Sequence, residues 1–149
     1  MHDKTDLRQP YMKLLRELVE SYQAFENYAI PHIKAQGLTP AQFDVVATLG
    51  NTNGMSFKEL GQRTLLYKTT LTSVVDRLEA QGWVVRVPSP DDRRSTIARL
   101  TPAGEELFSR VFPAHRDHLR RRFEQLSEEE MDTGIRFLRR LREIFRNDS

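Results

Sequence analysis

Cysteine is absent from the 149 residues, which excludes disulfides, thiolate metal sites and cysteine-based redox sensing. No run approaches the ~20 apolar residues that a helix needs to cross a bilayer, so no membrane association is expected. The start of the chain, Met1 to Pro10, is charged and lacks the apolar segment of a secretory signal. A cytoplasmic protein is therefore expected. Also missing are the Walker-type Gly-Lys-Ser/Thr, Gly-x-Gly-x-x-Gly, His-Glu-x-x-His and Gly-x-Ser-x-Gly motifs, so nothing points to an enzyme or to a cofactor.

What the chain does have is a balance of 38% hydrophobic and 30% charged residues. That suits amphipathic helices packed together better than a sheet buried on both faces. The net charge is only +2, but it is unevenly spread. From Ser56 to Thr101 eight cations face five acids, whereas residues 1–55 carry five cations and six acids, and residues 102–149 carry ten of each. The basic excess lies in the middle third, where a polyanion would find it.

Hydrophobic periodicity predicts a first helix from about Leu7 to the Ile30–Pro31 junction, with Leu14, Leu15, Leu18, Val19, Tyr22, Phe25 and Tyr28 on one stripe. Pro31 should end or kink it, and Gly37 should close whatever continues. Thr39, Pro40 and Gln42 form a capping box that opens a second helix, with Phe43, Val46, Ala47 and Leu49 inward and Gly50 as its stop. Ser56 and Glu59 open a third, whose inward residues are Phe57, Leu60 and either Leu65 or Leu66. The fourth runs from about Tyr67–Thr69 to Gly82 and buries Leu71, Val74, Val75 and Leu78. Its other face shows Lys68, Thr69, Thr70, Ser73 and Arg77.

Then the period changes. Residues 83–87 and 95–100 read as two strands around a charged turn, Pro88 to Arg94. Thr101-Pro102 caps a fifth helix through Leu107, Phe108, Val111 and Leu119 towards Phe123, in which Pro113 is a site for a kink. Ser127 and Glu130 cap a sixth, lined by Met131, Ile135, Leu138, Leu141 and Phe145. Two helices joined by a short turn and followed by a basic-tipped hairpin make a winged helix-turn-helix. An α-helix fits the major groove of double-stranded DNA, where Ser and Thr reach base edges. Arginines on a projecting loop suit the negative potential of a narrow minor groove.

Four segments carry a family resemblance: Gly37 to Phe43, Leu78 to Val84, Asp91-Asp92-Arg93-Arg94 and Leu100-Thr101-Pro102-Ala103-Gly104. In this order the chain resembles the MarR (multiple antibiotic resistance regulator) family over about Leu7 to Arg146. The resemblance implies a mainly α fold with a small β-hairpin wing and a single domain over residues 1–149. Its DNA-binding lobe would span about 38–101, and a helical dimerisation region about 7–36 and 102–146. It also implies a homodimeric transcriptional regulator on a pseudo-palindromic operator, a repressor relieved by a small aromatic or lipophilic effector. The DNA-contacting residues would be Lys68, Thr69, Thr70, Ser73, Arg77, Arg93 and Arg94, with Asp92 orienting the wing arginine. Tyr28, His32 and Phe43 are the candidate effector residues. The family often has a long polar or basic residue where this chain has Ser73, which shifts base readout towards Thr69, Thr70 and Arg77.

Plainer readings compete. A helical protein–protein dimer without specific DNA readout explains the apolar stripes but leaves the arginine wing without a role. Arg120-Arg121-Arg122 lies in a charge-balanced region and reads as a solvated helix face. His115 and His118 have i, i+3 spacing, but two imidazoles do not make a metal site, and no metal is expected.

Overall fold

Proline at the first helical position needs no backbone donor, and Pro10 opens α1, Pro10–Ala35. In this computed structural model, which describes residues 8–146, α1 continues through Pro31. The sequence had suggested an end or kink there; its suggested start, Leu7, lies outside the described residues. Pro31 is exposed, so the carbonyl left without its helical donor can turn to water, while Ala29 and Ile33 anchor the opposite face in the core. Gly37, at φ 86°, supplies the left-handed residue that closes the turn.

Helix α2, Pro40–Leu49, starts at the reciprocal box expected of it. Gln42 donates its amide to Thr39 Oγ1 at 3.1 Å, and Thr39 donates its own to Gln42 Oε1 at 3.0 Å. Phe43, Val46 and Leu49 are buried, Ala47 is partly so, and Val45 joins them. Strand β1, Met55–Ser56, leads directly into α3, Phe57–Thr64. Ser56 Oγ accepts from the Glu59 amide at 3.1 Å, but the Glu59 carboxylate pairs with Arg63 at 3.0 Å, leaving the box half-formed. Helix α4, Lys68–Ala80, buries the four expected residues, Leu71, Val74, Val75 and Leu78.

Strands β2, Val84–Pro88, and β3, Thr96–Leu100, make the hairpin, with Val84 opposite Leu100 and Val87 opposite Ile97. The expected pair is in fact three strands in the order β1-β3-β2, because Met55 pairs with Ala98 and Ser56 with Ile97. A third strand relieves the marginal stability of an isolated hairpin. Helix α5, Pro102–Phe123, passes through Pro113 and adds Leu107, Phe108 and Val111 to one core with α2, α3, α4 and the sheet. The described residues are thus mainly helical with a small antiparallel sheet, the winged helix-turn-helix fold.

The chain divides into two compact units, one ending at His115 and one beginning at Arg116. The second contains α6, Glu128–Arg146, opened by a complete box between Ser127 and Glu130. The Ser127 backbone amide, and after it the Ser127 hydroxyl, hydrogen-bond the Glu130 carboxyl and hold it below its ordinary value. Within this unit Ile135, Phe137, Leu138, Ile144 and Phe145 are exposed. In the first unit Leu14, Leu15, Leu18, Val19, Tyr22 and Phe25 of α1 are exposed as well.

Thr101 ties the base of the wing to α5. Its hydroxyl donates to Gly82 O at 2.6 Å and accepts from the Gly104 amide at 3.0 Å, while its own amide donates to Trp83 O at 3.0 Å. A Cβ at Gly104 would lie 2.0 Å from the Trp83 carbonyl oxygen, and neither backbone can yield alone. Gly104→Ala should therefore cost about 3 kcal/mol, the upper part of the usual overpacking range. Urea denaturation of the two proteins measures this, with an unchanged midpoint as the contrary result.

Candidate nucleic-acid interface

With four apolar residues of α4 turned inward, helical geometry turns Thr69, Thr70, Ser73 and Arg77 outward, and all four are exposed together with Lys68. Thr72 is exposed too, but its hydroxyl donates back to Lys68 O at 3.0 Å. Hydroxyls free of such back-bonding can offer both a donor and an acceptor to a partner. Tyr67 occupies the N-cap position and makes no side-chain cap.

At the wing tip Asp92 organises backbone. Its Oδ1 accepts from the Arg94 amide at 3.0 Å and its Oδ2 from Ser95 Oγ at 3.3 Å, while its carbonyl accepts from the Ser95 amide at 2.9 Å. Ser89 closes the turn by donating its amide to Ser95 O at 2.8 Å. With Asp92 so engaged, Arg93 and Arg94 are exposed, and among the described residues neither guanidinium pairs with Asp91 or Asp92. Two cations held out on an ordered turn suit a phosphate-lined groove.

The link between wing and α4 was not visible in the sequence. Arg86 of β2 reaches Asp76 at 2.5 Å and Glu79 at 3.1 Å, both on α4. Its guanidinium also lies 5.4 Å from the Phe57 ring centroid. The Asp76 hydrogen bond is the main reason that its pKa rises further above the ordinary value. The clamp fixes the angle between helix and hairpin and neutralises two acids that would otherwise face a polyanion. A pairing across ten residues, from helix to strand, leaves no periodic trace.

Of the candidate effector residues, His32 and Phe43 are brought together by His115. That ring is 4% exposed, stacks on His32 with centroids 5.2 Å apart, and meets the Phe43 ring edge at 4.7 Å. The two Nδ1 atoms are 3.0 Å apart, so the contact needs one ring to donate and the other to accept. Gln36 Nε2, a donor, is 3.2 Å from the same His32 Nδ1. This makes His32 Nδ1 the acceptor and His115 Nδ1–H the donor. Tyr28, one turn before His32 on α1, is half-buried. In the second unit Arg120 pairs with Asp117 at 2.8 Å and with Glu124 at 3.5 Å. Arg120, Arg121 and Arg122 are all exposed, as a solvated face would be. Among the described residues no group of three or more His, Asp or Glu is arranged to hold a metal ion, and no helix is long and apolar enough to cross a membrane.

A helix with an exposed polar face, a preceding positioning helix and a basic wing define a winged helix-turn-helix protein. Residues 36–95 match the model of the MarR family. The chain is 32% identical to the uncharacterized HTH-type transcriptional regulator YkoM of Bacillus subtilis, over 87% of this chain and 84% of that protein. It is also 32% identical to the HTH-type transcriptional regulator MhqR of the same organism, over 87% of this chain and 90% of that protein. The solved structure of BpsR from Bordetella bronchiseptica is similar at a TM-score of 0.74 and 26% identity, covering 87% of this chain and 98% of that one. The chain belongs to the MarR family, whose members are transcription regulators rather than enzymes.

The Arg86 clamp yields a stability test. Its side chain is 28% exposed, so two partly screened ion pairs and one cation–π contact should together contribute about 1–2 kcal/mol. Arg86→Ala should lose that amount in thermal unfolding. Arg86→Lys should recover only part of it, because an ammonium lacks the planar fork that reaches two carboxylates at once. Full recovery by lysine would mean that charge alone holds the contact.

Proposed function

We propose that this chain is a sequence-specific DNA-binding transcriptional regulator, a repressor that binds a pseudo-palindromic operator as a homodimer and is relieved by a small aromatic or lipophilic effector. The observation that carries this reading is the joint exposure of the α4 hydroxyl face and the wing arginines. Lys68 contacts phosphate, Thr69, Thr70, Ser73 and Arg77 meet the major groove, and Arg93 and Arg94 enter the minor groove. Asp92 holds the turn on which those arginines stand. The DNA-binding lobe covers about residues 38–101.

Dimerisation uses the two chain ends, about 7–36 and 102–146, where α1 and α6 leave apolar side chains in water. Two lobes related by a two-fold axis call for an operator of matching symmetry. Bound there, the protein occludes a promoter. The effector acts near Tyr28, His32 and Phe43, and works by binding the DNA-competent and incompetent arrangements with different affinity. For BpsR, regulation of DNA binding by 6-hydroxynicotinic acid is known, which supports an aromatic ligand of similar size here.

Selection of bound DNA from a random pool, followed by titration of the recovered operator, tests the reading. Affinity should fall with salt at a log–log slope of several units, about −0.9 for each phosphate neutralised. A flat response rules out the interface described. Arg94→Ala should weaken binding to many sequences, most where the flanks are A·T-rich. Thr70→Ala should cost about 1–3 kcal/mol on the operator and little on unrelated DNA. Equal losses on all DNA for Thr70→Ala would remove α4 as the reader.

The dimer has its own check. The double variant Leu138→Glu, Leu141→Glu places charge on the apolar face of α6 and should aggregate or unfold. A soluble, folded monomer in analytical ultracentrifugation would contradict an obligate dimer.

A further inference from the structure

The turn between α3 and α4 breaks two local rules at once. Leu65 ends α3 in the left-handed region, at φ 61° and ψ 19°, with its amide donating to Gly61 O at 3.0 Å. A leucine held there is strained, whereas glycine or asparagine would adopt the conformation readily. Its side chain is 76% exposed, while Leu66 packs against the core. Two residues on, Tyr67 stands at the α4 N-cap, where serine, threonine or aspartate would bond the first-turn amides, and it is 84% exposed. Neither side chain serves the fold of this unit. Sites where the local rules fail together are sites where something other than folding has selected the residues.

The surroundings identify what covers them. Lys58 and Lys68 are exposed and line one cleft of about 550 Å³ between α3 and α4 with Phe57, Leu66 and Leu71. The neighbouring acids are already matched, Glu59 by Arg63, and Asp76 and Glu79 by Arg86. Leu66, which stands between Leu65 and Tyr67 in the chain, lines this cleft, so the two exposed side chains flank an apolar floor with lysines at its edge, and Thr69 and Thr70 follow on α4. An apolar protein surface would not call for the cations. The major groove does, and among base edges it offers one apolar group, the thymine C5-methyl.

We propose that Leu65 and Tyr67 are DNA contacts that read thymine methyl groups at the edge of the major groove where α4 enters it. The inference rests on the DNA-binding reading above and adds a preference to it. Hydroxyls on α4 choose bases by hydrogen bonds, while the turn favours thymine at adjacent positions by apolar contact.

Single replacement of each operator thymine by uracil removes the methyl and nothing else. For the wild-type protein, one or two such replacements per half-site should weaken binding about three- to fivefold each, the factor carried by one buried methyl. Leu65→Asn keeps a residue at ease in the left-handed region, and Tyr67→Ser supplies the missing cap, so both variants should melt at or above the wild-type temperature. Each should nonetheless bind the operator about five- to tenfold more weakly and lose its sensitivity to uracil at one of those positions. Wild-type binding that both variants retain in full, or uracil losses identical in variants and wild type, overturns the inference and leaves the DNA-binding reading standing. Failure of the wild-type protein to bind any selected DNA overturns both.

Discussion

Everything in the first unit is arranged around the seating of one face of α4. Leu71, Val75 and Leu78 are almost wholly inaccessible and Val74 nearly so, and burial of side chains of this size contributes about 1.5–3 kcal/mol each. They meet Val45, Val46 and Leu49 of α2, Leu60 of α3, and Val84 and Ala98 of the sheet in one continuous core. A helix so seated cannot roll without exposing those residues. The same four residues that stabilise the fold therefore fix which hydroxyls stand outside. Arg86 adds the second constraint by tying α4 to β2, so helix and hairpin are presented to a partner as one rigid element.

That dependence explains how much was legible beforehand. The inward row of α4 follows the helical period, so its outward row follows with it, and both were visible from residue spacing. Capping was equally readable, because Thr39–Gln42 and Ser127–Glu130 make local, reciprocal hydrogen bonds. Ser56–Glu59 formed only halfway, since Arg63 at i+4 competes for the same carboxylate. Val45 escaped notice because α2 is covered on more than one side, and a periodic stripe assumes one buried face. At Pro31 the helix continues, and Gly37 closes what continues, as expected. The rule for proline concerns a lost bond and a clash, and both are tolerable where the freed carbonyl is solvated and the other face is anchored.

The remaining gaps come from contacts that are distant in sequence. Strand β1 is two residues long, too short for any alternation, and exists only because β3 offers Ala98 and Ile97 as partners. His115 was paired on spacing with His118, yet its ring is taken up by His32, 83 positions away. Asp92 stood close to two arginines in the chain, but its carboxylate serves the Arg94 amide and the Ser95 hydroxyl. Its effect on the wing therefore runs through backbone order. The choice between Leu65 and Leu66, open from spacing alone, is settled by the left-handed residue ending α3, which turns Leu65 out and Leu66 in.

One helix joins the two places where, on the proposed reading, ligand and DNA are felt. At its start α5 is locked to the wing base through Thr101 and the close approach of Gly104 to Trp83. Farther along, Phe108 and Val111 enter the core, and His115 packs on His32 of α1 and Phe43 of α2. An α-helix transmits displacement along its axis with little compression, because every turn is braced by hydrogen bonds. A molecule that prised His32 from Phe43 would thus shift the seat of His115, and the same rigid element would carry the strain to the root of the wing. Coupling of this kind requires two packings of comparable energy. The His32–His115 contact is suited to provide them, since it is made by polar ring nitrogens that can exchange one hydrogen-bond partner for another.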